Sequence, residues 1–327
     1  MKRIHYIILS CLSLSAISAI AVLEFPQTEI SNGIVRARLY LPDTVNGYYR
    51  GTRFDWAGVM PELEYKGHSY CGQWFGTYSP TLHEAVMGPV ESFSPLGYEE
   101  ASPGKGFVQI GVGVLAREDG TPYAPFHTYR ILNGGDWKIK KRPSKVEFIH
   151  TLRDTAASYV YTKTVELIKG KAQLVLTHSL KNTGSRPIET SVYDHNLFLL
   201  DHQLTGAGAV IIFPFALKEE GKSRGIGDLA VIKDNQLVFQ REFSKREQVY
   251  TILQGYGSSA KDYDIKIENR KTGAGVRITG DQPLSKLVCW ACPTTFTPEP
   301  YIQFRINPGE SFNWKLTYEF YTCEISK

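Results

Sequence analysis

Little in this chain of 327 residues repeats at the period of a helix. No extended window gathers its apolar residues on one helical face, which excludes a helical bundle and argues against long helices anywhere. After residue 23 there is no uncharged apolar run long enough to span a bilayer. Cysteine is scarce, five in all. The one CxxC, Cys289-Trp290-Ala291-Cys292, sits in an apolar strand-like run, not at a helix start, and no second CxxC or CxxH completes a zinc site. Its thiols read as buried groups or structural bridges. Charge of either sign is nearly balanced, 37 Lys plus Arg against 33 Asp plus Glu, so the net of +4 makes no electrostatic case for nucleic acid. No Gly-x-Ser-x-Gly elbow is present. The glycine turns Gly104-Lys105-Gly106 and Gly225-Ile226-Gly227 have no helix behind them to hold phosphate.

What is abundant is aromatic. Tyr (19), Phe (16) and Trp (5) make up 12% of the chain, which suits a β-protein or a sugar-facing surface. The N-terminus carries Lys2 and Arg3, then an apolar stretch from Ile7 to Leu23 that contains the small-x-small triplet Ala19-Ile20-Ala21. Residues 1–21 therefore read as a secretory signal, and the mature chain as periplasmic or secreted, with no membrane span of its own.

From Gly33 onward the chain alternates in short runs rich in Val, Ile, Tyr, Phe and Thr, separated by Gly, Asn, Asp and Pro turns. Predicted strands include 33–40, 106–115, 146–151, 159–168, 172–180, 188–192, 249–253, 287–290, 301–306 and 312–320. The stretch 65–105, with four prolines, is the least regular and the natural place for functional loops. Lys138-Ile139-Lys140-Lys141-Arg142 reads as a solvated hairpin. Fifteen or so strands without a composition break predict an all-β fold, one large antiparallel sandwich spanning residues 22–327.

Three histidines stand beside turns in suggestive company: His83 before Glu84, His127 within Pro125-Phe126-His127-Thr128-Tyr129-Arg130, and His195 within Tyr193-Asp194-His195-Asn196-Leu197-Phe198. A histidine at a strand end in a polar cleft is able to transfer a proton near neutral pH. If its strand continues, Asp194 points to the opposite face from His195. His202 falls in a turn, and no further ligand is spaced to build a metal site around it, so neither metal nor cofactor is expected.

The segment 172–198 runs strand, Asn182-Thr183-Gly184 turn, Arg186-Pro187, strand, then Asp194-His195-Asn196-Leu197-Phe198. Near the C-terminus, Asn307-Pro308-Gly309-Glu310 leads into a last strand, and upstream lie Leu82-His83 and Arg53. In this order the sequence resembles the aldose 1-epimerase (galactose mutarotase) family. The resemblance implies a β-supersandwich of large antiparallel sheets with an open cleft on one face. It implies a sugar substrate whose anomers interconvert by ring opening, with an acid and a base on opposite sides of the ring. By position, His195 matches the family's acid, in its imidazolium form. His83 matches a substrate-binding histidine, and Arg53 a guanidinium that holds sugar hydroxyls. Trp56, Trp74 and Trp290 are candidates for an aromatic platform. His127 is taken as a further sugar contact.

Two departures from the family pattern follow. The family's base is a Glu on a strand near the C-terminus, and the matching run 287–292 has no acid. Glu299, in a Pro-flanked segment just beyond, is the candidate base, while Asp55, which the spacing of Arg53-Phe54-Asp55 puts on the face of Arg53, and Glu91 are candidate binders of hydroxyls or substitutes for that base. The family's Leu-His-Gly-Gly has become Leu82-His83-Glu84-Ala85. Such a divergent chain leaves two other activities open on the same scaffold: a lyase acting on uronic-acid glycans, and a non-catalytic carbohydrate-binding protein.

Overall fold

The structure is a computed structural model that describes residues 25–325. The signal sequence read at residues 1–21, and Cys11 within it, lie outside the described residues. Twenty-three strands follow one another: β1 Gln27–Ser31, β2 Val35–Tyr40, β3 Glu62–Tyr65, β4 His68–Ser69, β5 Gly88–Phe93, β6 Gly106–Gln109, β7 Gly113–Ala116, β8 Ile131–Asn133, β9 Asp136–Arg142, β10 Lys145–Leu152, β11 Tyr159–Leu167, β12 Gln173–Asn182, β13 Ile188–Leu197, β14 Ala209–Ile212, β15 Lys218–Arg224, β16 Ala230–Lys233, β17 Gln236–Phe239, β18 Val249–Gln254, β19 Asp264–Asn269, β20 Ala274–Gly280, β21 Lys286–Cys292, β22 Thr295–Ile306 and β23 Ser311–Thr322. Only two short 3₁₀ turns, Leu200–His202 and Ala260–Asp262, break the pattern among the described residues. None of the helical segments there is long and apolar enough to cross a membrane.

Two sheets dominate. Ten strands run in the order β16-β17-β14-β19-β20-β23-β12-β11-β10-β9, and six in the order β15-β18-β21-β22-β13-β5. Every strand pairing in them is antiparallel, some through hairpins, as in β10-β11-β12, and others between strands distant in sequence, as in β12-β23 and β13-β5. The sheets face each other through aromatic side chains: Phe93 of β5 meets Tyr161 of β11 and Trp314 of β23 at 5.4 and 6.1 Å, and Phe304 of β22 meets Trp314 at 5.4 Å. Alternation does the rest. On β12 and β23 one residue in two is buried, and on the six-stranded sheet both faces are covered in part, which makes β5 buried throughout. The lysine-rich β9 ends the ten-stranded sheet, where its charges discourage a further strand from pairing.

Three strand expectations are corrected. The run 106–115 is a tight hairpin of β6 and β7, not one strand. Gly111 (φ 79°) and Gly113 (φ 140°) turn the backbone there, and a Cβ on Gly111 would come within 2.6 Å of an Asp55 carboxylate oxygen. The irregular stretch 65–105 contains β5, hidden from sequence reading by Pro89. And β22 begins at Thr295, so it takes in Pro298 and Pro300. The ladder between β13 and β22 ends at the Tyr193–Tyr301 pair, so these two prolines face no β13 carbonyl in need of a donor. Cys71, Cys289, Cys292 and Cys323 are unpaired, with the Cys71 and Cys289 thiols pushed up by burial.

Candidate functional site

The outer face of the six-stranded sheet forms the floor of a cleft of about 780 Å3. Parity along three strands decides what lies on it. On β13, Tyr193, His195 and Leu197 face the cleft, while Val192 and Asp194 face the ten-stranded sheet. On β22, Glu299 and Tyr301 face the cleft, and Pro300 and Ile302 face inward. On β21 it is Trp290. Continuing the β13–β22 register past its last formal pair sets His195 opposite Glu299. Asn196 bridges the gap where the strands part, donating from Nδ2 to the carbonyls of Asp194 (3.0 Å) and Pro298 (3.1 Å).

The consequence is a close acid–base pair. His195 Nε2 lies 3.5 Å from Glu299 Oε1. His195 Nδ1 lies 3.3 Å from Thr297 Oγ1, whose hydroxyl is 3.2 Å from the Pro298 carbonyl. A hydroxyl that donates to that carbonyl accepts from Nδ1–H, which leaves Nε2 bare and turned to Glu299. Phe54 (5.7 Å) and Trp290 (5.8 Å) flank the imidazole. Burial, reinforced by Arg53, holds His195 well below its ordinary value. Burial likewise pushes the Glu299 carboxyl up to about 7, against the pull of Arg53 and Lys286. Below about pH 7 the pair therefore holds one proton, on Glu299, and above it none.

Around this pair stand the other side chains of the cleft. Arg53 donates from Nη2 to Tyr193 Oη at 2.9 Å and lies between the rings of Phe54 and Phe126, 4.5 and 4.9 Å from their centroids. His83 sits 5.0 Å from the Phe126 ring and is lowered by burial and then by Arg53. Tyr193 and Tyr301 stack at 4.5 Å, and Trp74 meets Trp290 edge-on at 5.5 Å. Phe126 is 62% exposed although it walls the cleft, as a platform for the apolar face of a sugar would be. Past Pro95 and Tyr123 the cleft runs on into a second basin of about 800 Å3 bordered by Glu99, Glu100, Asp154, Arg186 and Glu189.

Comparison with known structures settles the architecture. The coordinates superpose on a candidate aldose 1-epimerase from Escherichia coli K12 with a TM-score of 0.56 at 14% identity, covering 90% of this chain and 99% of that one. A galactose mutarotase related enzyme from Lactobacillus acidophilus gives 0.55 at 10% identity, over 92% and 99%. The aldose epimerase homologue of C. elegans gives 0.54 at 13%, over 91% and 99%. The chain has the galactose mutarotase-like fold. Neither a protein-family model nor a curated protein matches it in sequence.

On this mutarotase-like scaffold, Arg53, His83, His195 and Glu299 share one cleft, with Trp74 and Trp290 beside them. Other candidates lie elsewhere. Trp56 is buried, its Nε1 donating to the Gly51 carbonyl at 2.8 Å. Asp55 is not on the face of Arg53: residues 53–55 are not strand, and the Asp55 carboxylate turns inward to accept from the Ala57 N–H at 2.8 Å. Glu91 sits on the inward parity of β5, where it is bound by Lys163 and by His178 at 2.6 Å. His127 turns away to Glu118, 3.0 Å from its Nε2, though its neighbours Pro125 and Phe126 do line the cleft. His195 and Glu299 stand 3.5 Å apart, less than the width of a sugar ring. Tyr193, Thr297 and Tyr301 escaped sequence reading, though a period of two from His195 and Glu299 finds all three.

Proposed function

We propose that this cleft interconverts the anomers of a sugar by acid–base ring opening, with the His195–Glu299 pair as the machinery. The carrying observation is the 3.5 Å approach of Nε2 and Oε1 on a cleft floor walled by aromatic rings. The two groups share one proton, and the anomeric hydroxyl and ring oxygen exchange protons with them. One member takes the hydroxyl proton. The C1–O5 bond breaks with its electron pair on the ring oxygen, which takes the proton held by the other. The open aldehyde turns about C1–C2 and closes on the other face by the reverse transfers. Burial favours the form with the proton on Glu299 and neutral His195, so Glu299 acts as the acid in ring opening and the roles exchange on closure. That differs from the imidazolium acid that the sequence resemblance implies. Export, and a mature chain spanning residues 22–327 as one domain, belong to the same proposal.

A second reading is favoured by one contact. Tyr193 beside Arg53 is the arrangement a β-eliminating lyase uses to take the proton α to a uronate carboxylate. Burial nonetheless raises Tyr193 above its ordinary value in spite of Arg53, which disfavours the phenolate. The carboxylates of the second basin also repel a polyanionic chain that would run through it.

Two measurements test the proposal. Magnetisation-exchange NMR on a panel of reducing sugars is expected to show faster α–β exchange with the protein, and a loss of that acceleration in His195→Ala. No acceleration for any sugar, or full activity in the variant, overturns it. The catalysed rate, corrected for the spontaneous one, is expected to fall as pH rises through about 7, because Glu299 then gives up the shared proton. A second fall is expected on the acid side, well below the ordinary histidine range, where His195 takes a second proton.

A further inference from the structure

We propose that the sugar bound here is acidic, a hexuronic acid or a single uronate chain end, with its carboxylate held by the guanidinium of Arg53; this rests on the reading of the cleft as a sugar site. Among the described residues no carboxylate comes within ion-pair distance of Arg53. Its one side-chain partner is the neutral hydroxyl of Tyr193, and its Nε–H is sealed from solvent with no acceptor at all. The rings of Phe54 and Phe126 lie against the group, which still lines the cleft. A guanidinium held in that way matches a planar, two-oxygen acceptor. Neutral hydroxyls satisfy single N–H groups but leave a partly desolvated charge uncompensated.

The position fits the same chemistry. Arg53 is near enough to His195 and Glu299 for its charge to act on both. In a hexuronic acid the carboxylate carbon is two bonds from the ring oxygen that this pair must serve. Arg224, hydrogen-bonded to Gln248 at 3.2 Å, adds a second positive charge to the cleft without an ion-pair partner among the described residues. Against these stand Glu84 beside His83, Glu299 to the extent that it is ionised, and beyond Tyr123 the carboxylates of the second basin, of which Glu189 is paired with Arg305. One negative charge is welcomed and a string of them is not, which selects a monomer or chain end over the interior of a polyuronate.

Ligand-observed NMR and calorimetry with the protein test this, using galacturonate and glucuronate against galactose, glucose and glucose 6-phosphate. A uronate is expected to bind about tenfold more tightly than its neutral counterpart. The advantage is expected to shrink with added salt, to vanish in Arg53→Gln and to survive in part in Arg53→Lys. The ratio of acidic to neutral affinity is the readout, so a general weakening of the site does not imitate the effect. Equal affinity for acidic and neutral sugars, a ratio unmoved in both variants, or a preference for the phosphate overturns the proposal. Tight uronate binding without faster anomeric exchange upholds it while removing the epimerase reading. Exchange of neutral hexoses without a uronate preference does the reverse.

Discussion

Glu299→Gln is expected to lower catalysed anomeric exchange by ~10²–10⁴-fold while leaving a folded protein and a formed cleft. The amide keeps the shape of the carboxyl and is able to donate to His195 Nε2, 3.5 Å away, but it holds no transferable proton. Two side results separate lost chemistry from lost structure. Sugar binding followed by NMR is expected to persist in the variant, since Arg53, His83 and the aromatic walls are untouched. The pH dependence of stability is also expected to change. In the unfolded chain the Glu299 carboxyl ionises at its ordinary value, and in the folded protein only near 7. Between those values the unfolded state binds fewer protons, so this group lowers stability as pH rises through that window. Glu299→Gln removes that slope, and the variant is expected to gain on the wild type in melting temperature between about pH 5 and 7. A variant that keeps full exchange, or one that melts far below the wild type at neutral pH, rules out the assignment of Glu299.

Much of this site was legible because strands alternate. The motif ending in Asp194-His195 singled out a histidine that the structure sets on the cleft floor, and the continuation of β13 to Leu197 sends the two side chains to opposite faces as the period of two requires. The same period applied to Glu299 would have found Thr297 and Tyr301. It failed to be applied because Pro298 and Pro300 disguise β22 as a loop, and a proline within a strand becomes intelligible only once the parting of β13 from β22 is seen. Arg53, Asp55 and His127 depend on irregular segments whose side-chain directions follow no period. For those, sequence spacing carries no information about facing: it placed Asp55 beside Arg53, when the backbone had already turned it into the interior. Glu91 misled differently. A carboxylate in a Pro-rich, apparently irregular stretch reads as a surface or site group, and only the presence of Lys163 and His178 on the facing sheet explains its burial.

That buried cluster supplies the largest expected effect on stability. Lys163 of β11 reaches across the sandwich to donate to Glu91 and to the Ala57 carbonyl, the latter at 3.0 Å, and all of Lys163, Glu91, Asp55, His178 and Asp194 are almost wholly buried. Burial by itself lowers Lys163, but Glu91, Asp55 and Asp194 outweigh it and keep the ammonium charged. Burial alone would raise Glu91, yet Lys163 and His178 bring it below its ordinary value, while Asp55 and Asp194 remain raised, chiefly by burial. Lys163→Met deletes the one ammonium that holds these carboxylates between the sheets. It is expected to cost about 3–5 kcal/mol, because the remaining charge is left buried and unpaired, not because the pair itself contributes so much. The sign of the pH response discriminates. In the wild type the contribution of Glu91 is present above its ordinary value and is lost as acid is added through its lowered one. In the variant Glu91 has no ammonium to depress it, so mild acid that protonates it is expected to restore stability. Lys163→Met combined with Glu91→Leu is expected to recover a good part of the loss, as apolar replacements of buried ion pairs do. The cluster lies one residue from the proposed catalytic pair, since Asp194, bound by the Tyr318 hydroxyl, precedes His195 on β13. If the double variant is as stable as the wild type but slow in anomeric exchange, the buried charges hold His195 in place. If it is fast as well, they serve only the fold.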